Sequence, residues 1–69
     1  MFLSGMAQGQ QRVIRAVIGE DDLRRRLAEL GFVPGMKVRV LARTSDGMIV
    51  EARGLSLAID FRSGDLIVV

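Results

Sequence analysis

Arg24, Arg25 and Arg26 stand in a row and make the densest charge in the sequence. A guanidinium is a planar fork that binds carboxylate or phosphate through two parallel hydrogen bonds. The run therefore offers an anion- or acid-binding face. Glu20, Asp21 and Asp22 precede it and offset its field. The competing reading is thus a solvated helix face laced with local ion pairs. On a helix, Asp22 and Arg26 would meet at i, i+4 in the favourable order, and Arg25 and Glu29 in the reverse order.

Other chemistry is thinly supplied. The chain has no His, Cys or Tyr, so the usual general acids, general bases and nucleophiles are missing and no enzyme is expected. Disulfides and Cys/His zinc sites are excluded with them. Asp21 and Asp22 are neighbours in sequence, and neighbours on a helix do not face each other. They read as carboxylates that cap free N–H groups and oppose the helix dipole. Glu20, Asp21, Asp22 and Glu29 are hard oxygen ligands, but iron(II) or zinc would want imidazole or thiolate. No metal site and no cofactor are expected. Phe2, Phe32 and Phe61 are the only aromatic residues. None sits among basic residues on a strand, so base stacking lacks a platform and nucleic acid is not an expected ligand. Leu41 among Lys37, Arg39 and Arg43, and Ile49 beside Glu51 and Arg53, suggest surplus apolar surface of the kind that marks a protein partner.

These residues must be positioned by one small domain spanning residues 1–69. Its core must come from Val, Leu, Ile, Met and Ala. Gln11 to Ile18 is rich in β-branched residues and reads as a strand ending at Gly19. Leu23, Leu27 and Leu30 recur at i, i+4 and i+7, so they form one stripe of a helix turned to the core. Gly31 suits the left-handed position after that helix, with Phe32 folding back on Leu27. Val33-Pro34-Gly35-Met36 has the chemistry of a type II turn. Lys37 to Arg43 alternates as a half-buried strand, Asp46-Gly47 signals a hairpin, and Met48 to Arg53 returns. After Gly54 come a fourth strand, Leu55 to Asp60, a short connection, and a last strand, Leu66 to Val69. The expected fold is mainly β: a small, half-open SH3-like barrel of about five strands, with one short α-helix between strands 1 and 2. Met1 to Ala7 lacks the features of a secretory signal, and no apolar run is long enough to span a bilayer. A cytoplasmic location without membrane insertion is expected.

With the segments in order, the sequence resembles the FeoA family of bacterial ferrous iron transport. The resemblance is strongest from Leu23 to Val40, which carries a basic Leu-rich helix, Leu30-Gly31, the pair Phe32-Val33, Pro34-Gly35 and the first hairpin strand. An apolar start before Gly9, Gly54 ahead of Leu55-Ser56-Leu57, and the terminal Leu66-Ile67-Val68-Val69 support it. The chain departs from the family pattern at its short Thr44–Gly47 turn, at Asp60 and at Gly64. The resemblance implies a free-standing, non-enzymatic accessory protein of ferrous iron transport. Its implied partner is the cytosolic, G-protein-bearing part of the membrane transporter FeoB, and it admits a weak homo-oligomer. The alternative is an SH3-like regulatory domain related to the C-terminal domain of metal-dependent transcriptional repressors. The partner-facing surface is expected at Arg24, Arg25 and Arg26 on the outer helix face and at Val33, Pro34 and Met36 in the turn that follows. On this reading Leu23, Leu27 and Leu30 are used by the core.

Overall fold

The computed structural model describes residues 1–69. A 3₁₀ turn, Leu3–Gly5, is followed by β1 (Gln11–Val13), β2 (Ala16–Val17) and α1 (Asp21–Glu29). Then come β3 (Lys37–Arg43), β4 (Gly47–Ala52), β5 (Leu55–Asp60), a one-turn helix α2 (Phe61–Gly64) and β6 (Ile67–Val68). Four strands form a sheet in the order β1-β3-β4-β5, and β2 pairs with β6 in a second sheet. Every pairing is antiparallel.

The expected first strand is divided in two, which raises the count from about five strands to six. The cause lies outside the segment. Residues 11–13 pair with β3. Ile14 continues that edge, its N–H donating to the Met36 carbonyl at 2.8 Å and its own carbonyl accepting from Gly35. From Arg15 onward the partner changes: Arg15 N–H donates to Val68 O and Ile18 N–H to Leu66 O. One extended segment thus passes its hydrogen bonds from the larger sheet to the smaller. Ile14 sits at the corner and is buried, while Val13 and Ile18 remain exposed. This corner curls the two sheets around a common core, and the result is the half-open, SH3-like barrel.

The core contains Leu3, Met6, Ile14, Leu27, Phe32, Val38, Val40, Met48, Val50, Ala52, Ile59, Ile67 and Val69. Val38 and Val40 of β3 and Met48, Val50 and Ala52 of β4 alternate inward, as period-2 patterning requires. Leu3 and Met6 come from an N-terminal stretch whose sequence shows no period. Arg43 fastens that stretch, its Nη1 donating to the carbonyls of Ser4 (2.8 Å) and Met6 (2.7 Å). The same guanidinium lies 5.2 Å from the centre of the Phe61 ring, within cation–π range. Gly64 is packed so closely on Ser4 that a Cβ would stand 3.1 Å from the Ser4 nitrogen.

The hairpins follow local chemistry, with two corrections. Thr44 organises the β3–β4 turn: its N–H donates to Gly47 O at 2.8 Å, and its Oγ1 accepts from Gly47 N–H at 3.0 Å. Gly47 has no positive φ. Glycine is needed there because a Cβ would collide with the Ile59 carbonyl oxygen. Between β4 and β5, Arg53 (φ 57°) and Gly54 (φ 78°) form a two-residue loop between the paired Ala52 and Leu55. Two successive positive φ angles are the type I′ hairpin geometry. Leu41 falls at a register shift between Val40 and Ala42 and is half-buried, so it is not the exposed residue its basic neighbours suggested. Ile49 is exposed.

Candidate functional site

Helix α1 carries the arginines. Its C-terminal end closes as the sequence implies: Gly31 has φ 101°, Gly31 N–H donates to Ala28 O at 2.9 Å and Phe32 N–H to Leu27 O at 3.0 Å. These two bonds are the Schellman pair. The following turn also matches, with Gly35 at φ 92° and Met36 N–H donating to Val33 O at 3.1 Å.

The helix start differs from expectation. Glu20 is the N-cap residue with extended backbone, and its side chain makes no capping hydrogen bond. Asp21 is instead paired with Arg24, and Asp22 lies 4.0 Å from Arg25. The expected Asp22–Arg26 and Arg25–Glu29 pairs do not form. Helical side chains lean toward the N-terminus, so Arg24 and Arg25 each reach back to the acid three residues earlier. Both pairs are solvent-exposed and add at most about 1 kcal/mol each. Arg26, also exposed, makes no ion pair and keeps its fork free.

The leucine stripe is the larger correction. Leu27 is 5% exposed, but Leu23 is 40% and Leu30 47% exposed. Only Leu27 and the following Phe32 anchor the helix in the core. The nine-residue helix buries one residue, Leu27, in the core, so the rest of its leucine stripe stays in water. In the turn, Pro34 is exposed, Val33 and Met36 are half-buried, and Met36 packs against the core. The surface therefore combines Arg24, Arg25 and Arg26 with Leu23, Leu30 and Pro34. Its charge is mixed, with Asp21 and Asp22 paired to Arg24 and Arg25, and its exposed apolar residues lie more on the helix and less in the turn.

Elsewhere, no three His, Cys, Asp or Glu side chains gather in a way that could hold a metal ion. One shallow groove of about 310 Å³ lies across β4 and β5, bordered by Thr44, Asp46, Ile49, Ala58 and Asp60. The Asp60 carboxylate accepts the Ser63 N–H at 2.8 Å and so caps α2. The Ser63 side chain and then its backbone N–H hold the Asp60 carboxyl below the ordinary aspartate range, helped by the Arg62 charge. Sequence reasoning missed this cap, although Asp60 three residues before Ser63 is a recognisable N-cap spacing.

The family model described as the FeoA domain matches residues 1–69. No curated protein matches the sequence significantly. Among solved structures, the solution structure of FeoA from Chlorobium tepidum is similar at 31% identity and TM-score 0.88, covering 99% of this chain and 67% of that one. The zinc complex of Stenotrophomonas maltophilia FeoA, described as a prokaryotic SH3 domain protein, is similar at 28% identity and TM-score 0.85, covering 99% of this chain and 87% of that one. A manganese-dependent transcriptional repressor shares the fold at TM-score 0.88 and 17% identity, with 97% of this chain covering 39% of that one. With the family model matched from end to end and the SH3-like architecture in common, this chain belongs to the FeoA domain family of ferrous iron transport accessory domains.

Proposed function

We propose that the chain is a cytoplasmic, non-enzymatic accessory protein that docks on the cytosolic, G-protein side of FeoB through helix α1 and the turn after it. The observation that carries this reading is the exposure of Leu23 and Leu30 beside the arginine run. Interfaces draw affinity from buried apolar anchors and Arg forks, and draw encounter rate from complementary charge. Both stand on α1 and its C-cap residue, Leu30. Membership of the FeoA family supports the iron-transport setting. The absence of His, Cys and Tyr supports a binding role over a catalytic one. No helix is long and apolar enough to cross a membrane, so association with a transporter would run through protein surface. The kinship with the repressor is one of backbone fold alone.

The test is retention of detergent-solubilised FeoB on the immobilised tagged chain. Retention that weakens as salt rises supports the docking reading, since exposed charge is screened. No retention at low ionic strength overturns it.

A further inference from the structure

The larger sheet has two edges, and they are protected to different degrees. β1 is three residues long and carries Arg12. β5 is six residues long, reads Leu-Ser-Leu-Ala-Ile-Asp, and has neither proline nor charge before Asp60. Natural edge strands are usually blunted by charge, proline, bulges or a covering element. The register β4–β5 runs without a break from Ala52/Leu55 to Gly47/Asp60, so no bulge interrupts this edge.

The pairing shows which backbone groups are free. A two-residue hairpin loop makes the flanking pair, Ala52 and Leu55, a hydrogen-bonded one, and such pairs alternate along the ladder. Leu55, Leu57 and Ile59 therefore spend their N–H and C=O groups on β4. Those of Ser56 and Ala58 point away from the sheet. No backbone hydrogen bond from a turn, loop or cap reaches either residue, and both are exposed. The side chains beside this edge are sorted by face. Leu55, 64% exposed, and half-buried Leu57 lie on the core side. Ala58 and Asp60 lie on the outer side, where the groove is bordered by Asp46 as well. Neither of those carboxylates is in an ion pair.

We propose that β5 accepts an extended segment of a protein partner as an added strand, and that the segment alternates basic and apolar residues. Backbone bonds to Ser56 and Ala58 supply the ladder. The segment's apolar side chains cover Leu55 and Leu57 on one face. Its basic side chains reach Asp46 and Asp60 on the other, by charge complementarity. Arg53, against which Gly31 packs, stands at the far end of β4 from the groove, so the acidic end of this edge is remote from the arginine helix, and the proposal does not depend on the docking assigned to that helix.

The experiment titrates the full chain with a short acetylated and amidated peptide of alternating arginine and valine. Amide resonances and amide exchange are followed by NMR. The expected result is saturable shifts and slowed exchange at Ser56 and Ala58. Affinity should fall at least about tenfold in the Asp46→Asn, Asp60→Asn double variant, which removes two charges while asparagine preserves the α2 cap. A peptide N-methylated along the edge facing β5 should not bind. Equal binding of that methylated peptide, equal binding of a glutamate–valine peptide, or no saturable shift would each overturn the proposal. So would concentration-dependent changes at Ser56 and Ala58 without peptide, which would assign the edge to a second copy of the chain.

Discussion

Phe32 donates its backbone N–H to the carbonyl oxygen of Leu27 at 3.0 Å, and this bond ends helix α1. It requires Gly31 at φ 101°, where a Cβ would also stand 3.2 Å from the Arg53 Cδ. A β-branched residue there meets strained backbone and a tight neighbour together. Gly31→Val should therefore cost about 1–3 kcal/mol, read as a lower midpoint in thermal or urea unfolding. An unchanged midpoint would contradict the left-handed helix stop.

The three helix leucines should respond unequally. Leu27→Ala removes a buried side chain and should cost about 2–5 kcal/mol. Leu23→Ala and Leu30→Ala remove side chains already two-fifths or more in water, and each should cost about 1 kcal/mol or less. Urea unfolding of the three single variants checks this. Equal, large losses at all three would restore the stripe to the core and take Leu23 and Leu30 out of the docking surface.

Asp60 gives a pH signature. Its carboxyl is held below the ordinary range by the hydrogen bonds from Ser63, so it binds its proton less readily folded than unfolded. Its contribution is complete above the unfolded aspartate pKa of about 3.9 and disappears as pH falls through the lower folded value. Asp60→Asn keeps the cap without a titrating group. The stability difference between parent and variant should hold from about pH 7 to about pH 5, then change in favour of the variant below about pH 4. Unfolding midpoints measured across that range test it, and parallel curves would contradict it.

Local chemistry was legible in the sequence, and long-range partnership was not. The helix stop could be read because Gly31, Phe32 and Pro34 each act on their own few residues. Strand β3 could be read over its full Lys37–Arg43 span because its alternation is clean. The division of the first strand could not, since it is set by Met36 and Val68, far away in the chain. Leu3 and Met6 gave no periodic signal, so their place in the core was hidden. The leucine spacing told which residues share a face of α1, but not how much of that face the narrow barrel would cover. The arginine run was visible, whereas its pairing three residues back depends on side-chain lean. The Arg43 clamp on Ser4 and Met6 carbonyls joins residues 39 and 37 positions apart and had no sequence signature.

On the proposed function, the α1 surface faces the transporter. Its most direct measurement is FeoB co-purification by the triple variant Arg24→Glu, Arg25→Glu, Arg26→Glu, with circular dichroism and unfolding confirming that the variant is folded. Reversal changes the charge of the three guanidinium positions by six units and leaves the apolar residues in place. The folded variant should lose FeoB at low salt, where the parent retains it. A folded variant that retains FeoB at low salt as well as the parent does would contradict the assignment of this surface.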